Sequence, residues 1–223
     1  MKDLIQIAGI RDLQEATMLI ECGVDHIGFP LGLPMHGEDI PEAEAARIVR
    51  SLPSQARAVL ITYLDNADDI ISLCRSIRAH IVQLHGDASP DTLLQIQVGA
   101  PDVDVIKSLI VREGNLGDLK AAVRESSHLV NGFIVDTYDP DTGARGATGK
   151  THDWTTSRQL AEYSSHPIIL AGGLTPKNVR EAILQVRPAG VDAHTGVEGV
   201  DGWKDPELVK AFVSEARKGF AMI

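Results

Sequence analysis

The sequence alternates short apolar segments with amphipathic segments eight times from end to end. The apolar segments predict strands at Leu4–Ala8, Val24–Pro30, Ala58–Thr62, Ile81–His85, Val103–Ser108, Val130–Asp136, Ile168–Ala171 and Gly190–His194,. A predicted helix follows each strand, and helical crossovers of this kind join parallel strands. The even spacing and the length of 223 residues favour closure over an open sheet. We therefore predict an α/β protein with a single (β/α)8 barrel domain over residues 1–223.

Charge and cysteine content limit the classes of partner. A formal net charge of −10 argues against nucleic acid or an anionic membrane as the main partner,. No apolar run approaches a membrane-spanning length, and the first residues lack the apolar core of a signal peptide,. Cys22 and Cys74 show no metal-binding or redox spacing, so we expect reduced thiols,. We expect a cytoplasmic protein without metal or cofactor, as a monomer or a homodimer, that binds a small phosphorylated molecule.

The expectation of a phosphate comes from the seventh strand and its continuation. Ile168–Ala171 runs into Gly172–Gly173, and Thr175 with Pro176 predicts the cap and first position of a helix,. Glycines allow close approach of the backbone to a ligand, and a helix N-terminus favours an anion. Alone, this pattern is an ordinary turn. Because phosphate sites of (β/α)8 barrels lie after strands seven and eight, we expect phosphate here and at Thr195–Gly196.

Side-chain alternation along the strands predicts a ring of groups at the C-terminal mouth of the barrel. In strand eight, Val191 and Ala193 form the apolar pair, so Asp192 and His194 should point inward,. The same reasoning, applied to four further strands, leads us to expect that the mouth contains Ala8, His85, Lys107, Asp136 and His194. Catalytic groups of this fold lie at that end.

Several motifs in order along the chain resemble the phosphoribosylanthranilate isomerase family. They are Gln6-Ile-Ala-Gly-Ile10, Val82-Gln-Leu-His-Gly86, Val105-Ile-Lys107, Gly146-Ala-Thr-Gly-Lys-Thr-His-Asp-Trp154, Leu170-Ala-Gly-Gly-Leu-Thr-Pro-Lys-Asn-Val179, Gly190-Val-Asp192 and Thr195-Gly-Val-Glu198. The resemblance implies a (β/α)8 barrel, a phosphosugar ligand and a place in tryptophan biosynthesis. It also implies an Amadori rearrangement, in which one group protonates the sugar ring oxygen and a base removes the C2′ proton.

The resemblance assigns an acid but leaves the family's base without a match. Asp136 matches the aspartate that acts as acid at the end of strand six. The family's base is a cysteine in a Cys-Gly pair after strand one, where this chain has Ala8 and Gly9. A methyl group cannot accept a proton, and loss of a positioned base usually costs on the order of 10²–10⁴ in rate.

Two further departures fall on loops at the mouth. The family's arginine after strand two binds the anthranilate carboxylate, but the loop here reads Gly32-Leu-Pro-Met-His-Gly37. His36 is a weaker, pH-dependent replacement for a guanidinium. The family's Ser-Ser-Gly after strand eight is His194-Thr-Gly196. The acid and phosphate motifs are kept, whereas the base and the anthranilate anchor are altered.

His194 is the sequence's candidate for the missing base. Closure places strand eight beside strand one, so an inward His194 should lie next to Ala8. An imidazole with an ordinary pKa of about 6.5 suits proton removal at neutral pH, and Asp192 is a candidate to orient it. The alternative is a mouth histidine that only binds ligand or water. Either role places His194 at the site.

Other roles remain open for the remaining mouth residues. We expect His85 and Lys107 to contact substrate, with Lys107 held by Asp136 or by substrate oxygens rather than acting as a Schiff-base lysine. His85, Asp136 and His194 lack the close spacing of a metal site,. The predicted function is isomerisation of a phosphoribosyl amine. The alternatives are an isomerase, epimerase or lyase of another phosphorylated sugar, or a non-catalytic phosphosugar-binding barrel.

Overall fold

The computed structural model describes residues 2–33, 40–137 and 151–223. Its strands are β1 (Leu4–Ala8), β2 (His26–Pro30), β3 (Arg57–Thr62), β4 (Ile81–Leu84), β5 (Asp104–Val111), β6 (Gly132–Thr137), β7 (Ile168–Leu170) and β8 (Gly190–Ala193). Its helices are α1 (Leu13–Glu21), α2 (Glu42–Ser51), α3 (Ala67–Ile77), α4 (Pro90–Gly99), α5 (Leu116–Ser126), α6 (Trp154–Tyr163), α7 (Val179–Val186) and α8 (Pro206–Phe220).

Each strand pairs in parallel with the next, and β8 pairs with β1 to close the barrel. The predicted (β/α)8 fold is therefore confirmed. No helix among the described residues is long and apolar enough to cross a membrane.

Polar side chains define where several helices begin. Asp12, Asn66, Ser89, Asp153 and Asp205 each accept a hydrogen bond from a backbone N–H in the first turn of the helix that follows. Such a cap stabilises a helix by about 1 kcal/mol. Each cap lies where a loop at the C-terminal mouth of the barrel passes into the next helix, and it therefore fixes the end of that loop.

Two apolar clusters flank the sheet. The inner cluster fills the barrel and consists of Leu4, Ala8, Val59, Ile61, Ile81, Ile106, Ile134, Ile169 and Ala171. The larger outer cluster packs the opposite faces of the strands against the helices. Buried polar side chains of Gln6, Gln83, Asp136 and Asp192 also lie on the inner face, and they belong to the candidate site.

Lys107 does not face the barrel interior, so its expected inward orientation was wrong. In β5, Ile106 belongs to the inner cluster, whereas Val105 and Leu109 belong to the outer one and share a face with Lys107. The Lys107 ammonium donates to the Ala88 carbonyl at 2.9 Å. Burial lowers the pKa of Lys107. The side chain extends along the outer face and places its charge at the rim.

The helix after β7 begins later than expected. The sequence predicted Thr175 as the cap, and its Oγ1 does accept from the Lys177 N–H at 3.2 Å, although the regular helix α7 begins only at Val179. The Asn178 side-chain oxygen accepts from the Thr175 N–H at 2.8 Å, and its amide donates to the Gly173 carbonyl at 3.0 Å. Thr175 and Asn178 thus cap the turn of residues 176–178, which leads into the helix,.

Candidate active site

Asp136 is the charged group at the mouth that affects the pKa values of the most neighbouring residues described below. It lies at the end of β6 with 4% of its surface exposed, and its Oδ1 accepts from the Thr137 N–H at 2.7 Å. After burial, Asp136 is the next largest influence on the pKa of four groups around it: Tyr63, His85, His152 and Asp192. The expected position of Asp136 at the mouth is therefore the one that the structure shows.

A chain of buried hydrogen bonds crosses the barrel to His85. Gln6 Nε2 donates to Gln83 Oε1 at 2.7 Å, and Gln83 Nε2 lies 2.7 Å from His85 Nε2. An amide nitrogen only donates, so His85 Nε2 accepts and the ring proton lies on Nδ1. Nδ1 is 2.9 Å from the Ser108 hydroxyl, and the Tyr63 ring stacks on the imidazole at 5.4 Å. Burial lowers the pKa of His85, which keeps it neutral.

Asp192 is a buried carboxyl beside the same chain. It lies in register with Gln6 across the β1–β8 pair. Burial, and then the charge of Asp136, raise the pKa of Asp192 to about 7. Among the described residues, Asp192 Oδ1 and Gln6 Oε1 find no hydrogen-bond partner. Because both atoms are acceptors, a carboxyl at Asp192 that carries a proton near neutral pH fits these surroundings better than a carboxylate does.

The imidazole of His194 lies against the residue that follows Ala8. A Cβ built on Gly9 would come within 2.1 Å of His194 Nε2, and Gly9 has φ +81°. Only glycine therefore fits at this position. The side chain of His194 remains 27% exposed, and Ala8 belongs to the inner cluster. The expected proximity of the His194 ring to the end of strand one is what the structure shows.

The carboxylate that faces His194 is Glu198 rather than Asp192. Glu198 Oε1 lies 3.5 Å from His194 Nε2 and 2.6 Å from the Lys204 ammonium, whose side chain is 1% exposed. The Lys204 ammonium also donates to the His194 carbonyl at 3.2 Å. Sequence reasoning missed both Glu198 and Lys204. No spacing rule signalled this contact, because residues 194–198 do not form an α-helix.

The loops after β7 and β8 meet at the predicted phosphate site. Gly172 and Gly173 have φ values of +87° and +60°, and a Cβ at Gly172 would strike Thr137 Oγ1. A Cβ at Gly196 would lie 1.9 Å from the Leu174 carbonyl oxygen. Within the described chain, the N–H groups of Gly172, Gly173, Thr195 and Gly196 donate to no protein acceptor. Such backbone donors can bind an anion.

His152 was not singled out from the sequence, although it lies near Asp136. Its Nδ1 is 2.9 Å from Thr137 Oγ1, and its Nε2 contacts the Ser157 hydroxyl. Burial lowers the pKa of His152. The neutral ring therefore joins the end of β6 to the start of α6. His36, the predicted partner of a substrate carboxylate, lies outside the described residues.

These features define a (β/α)8-barrel protein with titratable groups and glycine-shaped backbone loops at its C-terminal mouth. Residues 5–215 match the family model of N-(5'phosphoribosyl)anthranilate (PRA) isomerase, and the chain belongs to this family. The N-(5'-phosphoribosyl)anthranilate isomerase 2 of Methanosarcina mazei is 37% identical over 97% of this chain and 95% of its own. The isomerase of Trichlorobacter lovleyi is 38% identical over 96% of this chain and 98% of its own.

Solved structures agree with the sequence relatives. The phosphoribosyl anthranilate isomerase of Thermotoga maritima superposes with a TM-score of 0.82 at 30% identity, covering 98% of this chain and 100% of that one. A second isomerase, in complex with reduced 1-(o-carboxyphenylamino)-1-deoxyribulose 5-phosphate, has a TM-score of 0.79 at 28% identity, with 98% and 100% coverage.

Proposed function

We propose that this protein is an aldose–ketose isomerase that performs an Amadori rearrangement on a phosphoribosyl amine. Family membership over almost the whole chain supports the class of reaction. The observation that carries the proposal is the buried carboxyl of Asp136 at the end of β6, facing the mouth beside the neutral rings of His85 and His152. A carboxyl in that position can deliver a proton to the sugar ring oxygen.

The chemistry requires one proton donor and one proton acceptor. Asp136 donates its proton to the ring oxygen as the C1′–O bond breaks, and the amine nitrogen lone pair forms a C=N bond to C1′. His194 then takes the C2′ proton, the C2′–H electrons form the C1′=C2′ bond of an enolamine, and the π electrons of the C=N bond return to the nitrogen. Tautomerisation of the enolamine gives the amino-ketose, so the reaction consumes no other reactant.

His194 is proposed as the base because Ala8 has no group that accepts a proton. The His194 imidazole lies against Gly9, at the end of the same strand. In this assignment a histidine from the β8 side replaces a base supplied from the β1 side. Imidazole titrates near neutral pH, as a general base must.

Binding of the phosphate is assigned to the loops after β7 and β8. The supporting observation is the set of N–H donors at Gly172–Gly173 and Thr195–Gly196, brought together where Gly196 meets Leu174. The rest of the substrate would contact His85, and His36 stays the predicted partner of its carboxylate. Lys107 has no part in this proposal because it lies on the outer face of β5.

Assay of the purified protein with N-(5'-phosphoribosyl)anthranilate tests the proposal, alongside complementation of a strain that lacks the isomerase. We expect measurable turnover below that of a cysteine-bearing relative, because both the base and the carboxylate anchor differ. Turnover of another phosphoribosyl amine alone would change the assigned substrate. Binding of phosphosugars without turnover of any would show a non-catalytic barrel.

The oligomeric state of the purified protein is tested by a separate measurement. One similar structure contains monomers generated from a dimeric isomerase of Thermotoga maritima. A mass measurement in solution distinguishes a monomer from a homodimer for this chain.

A further inference from the structure

The segment after β8 is built around a buried ion pair. Residues 195–197 form a 3₁₀ turn, which brings Glu198 back beside His194. A tight turn then pairs Glu198 with Lys204 through an antiparallel bridge, closed by a Gly199 N–H bond to the Trp203 carbonyl. The ammonium of Lys204 is thereby placed 2.6 Å from Glu198 Oε1.

The segment that holds this ion pair also bonds to the start of α1, across the closure of the barrel between β8 and β1. The Lys204 N–H donates to Glu15 Oε1 at 2.6 Å, and Glu15 Oε2 accepts from the Arg11 N–H at 2.8 Å. The Arg11 guanidinium lies 5.3 Å from the ring of Trp203. The start of α1 and the segment after β8 are thus held together by these contacts.

Glu198 faces one particular nitrogen of that ring. The distance from Glu198 Oε1 to His194 Nε2 is 3.5 Å, and Nε2 also lies against Gly9. A carboxylate beside Nε2 favours the tautomer with its proton on that nitrogen. The basic lone pair of a neutral imidazole in that tautomer lies on Nδ1.

We propose that Glu198, fixed by Lys204, is a positioning residue that holds the proton of His194 on Nε2 and makes Nδ1 the atom that removes the substrate proton. This inference rests on the proposed role of His194 as base. Lys204 acts through Glu198 and through the His194 carbonyl, to which it donates. Neither residue is needed to touch the substrate.

The test reads the His194 tautomer directly by ¹⁵N NMR of the imidazole in the full-length protein, with the signal assigned by its loss in His194→Ala. The wild type should show a protonated Nε2 and an unprotonated Nδ1 at alkaline pH. Glu198→Gln keeps an acceptor but removes the charge, so the tautomer should persist. The alkaline form should then begin about half to one pH unit lower, because the imidazolium loses its counter-charge.

A double variant removes both the acceptor and its cation. In Glu198→Leu/Lys204→Met, an apolar pair replaces the buried charges, an exchange that folded proteins often tolerate. We expect a mixture of tautomers, kcat lower by at least about tenfold and KM little changed. Glu207→Gln, on the exposed face of α8 beside Lys210, is the matched control and should leave all readings unchanged.

Three results decide the proposal. A wild-type proton on Nδ1, or a double variant with the wild-type tautomer, would overturn it. The titration is that of Glu198→Gln, in which the other charged or titratable groups around His194 are unchanged. These are Arg11 and Glu15 from the α1 side, Asp192 of β8, and Lys204. If the tautomer results hold while His194→Ala keeps full turnover, the positioning by Glu198 stands and the assignment of His194 as base is wrong.

Discussion

The two sides of the mouth are built in different ways. On the β6–β8 side, the proposed function uses a buried carboxyl, Asp136, and backbone N–H groups beside Gly172 and Gly196. On the β1 side, Ala8 contributes only a methyl group, and the nearest titratable ring comes across the seam from His194. Backbone sites tolerate few substitutions, whereas a base can be supplied from a neighbouring strand.

The largest effect should come from the acid on the β6 side. Asp136→Asn removes the proton donor with little change in shape, so kcat should fall on the order of 10³-fold. Steady-state kinetics with the phosphoribosyl substrate measure it. Asp118→Asn, an exposed carboxylate of α5, is the control with the same chemical change. Equal rates for the two variants would remove Asp136 from the mechanism.

The free energy of unfolding should depend on pH through Asp192, which lies on β8 beside β1. A carboxyl whose folded pKa of about 7 exceeds its ordinary value of 3.8 stabilises the fold at low pH. That contribution is lost as pH rises from about 4 to 7 and amounts to on the order of 4 kcal/mol. Buried His26, whose folded pKa falls to about 4, gives the opposite slope in the wild type.

Comparison with Asp192→Asn cancels the contribution of His26. The unfolding free energy of Asp192→Asn minus that of the wild type should grow as pH rises from 4 to 7 and then level off. Denaturant titration at each pH measures both proteins. A difference that is flat across this range would mean that Asp192 stays ionised in the folded protein.

The base proposed from the β8 side should give the next largest effect. His194→Ala should lower kcat by about a hundredfold while KM changes little, because the imidazole acts in proton removal rather than in binding. If turnover survives while Asp136→Asn abolishes it, the base lies elsewhere. His85 then becomes the next candidate, since Lys107 faces away from the barrel.

The phosphate loops should be sensitive to a single methyl group. Gly196→Ala pushes against the Leu174 carbonyl, so the dissociation constant for inorganic phosphate should rise about tenfold and stability should fall by about 1–3 kcal/mol,. Gly117→Ala is the control, because nothing lies within 4 Å of its added methyl. That change in α5 should stabilise the protein slightly. Unchanged phosphate affinity in Gly196→Ala would place the anion elsewhere.

Restoring a base on the β1 side should have the smallest effect. Ala8→Cys should raise turnover of the anthranilate substrate a few-fold, by adding a thiol that can ionise. Ala8→Ser matches its size with a much weaker acid and should bring no gain. A rate for Ala8→Cys no higher than for Ala8→Ser would show that the β1 position has lost its role in proton transfer.

The sequence predicts the fold and the acid better than it predicts the surroundings of the base. All eight strands follow from apolar runs and their spacing. Lys107 was misplaced because β5 is apolar on both faces, as parallel strands usually are, so alternation carries little information there. The pairing of Glu198 with Lys204 depends on a turn, and contacts across turns leave no periodic signal. The turn before α7 is closed by side-chain bonds of Thr175 and Asn178, whose length along the chain the sequence pattern does not show.

The central claim is that the acid comes from β6 and the base from β8. The most direct measurement is the primary kinetic isotope effect on kcat with substrate deuterated at C2′. Removal of the base makes C2′ proton transfer slower than every other step. His194→Ala should therefore show a larger isotope effect than the wild type, and Asp136→Asn a smaller one. An isotope effect and turnover in His194→Ala equal to those of the wild type would contradict the account.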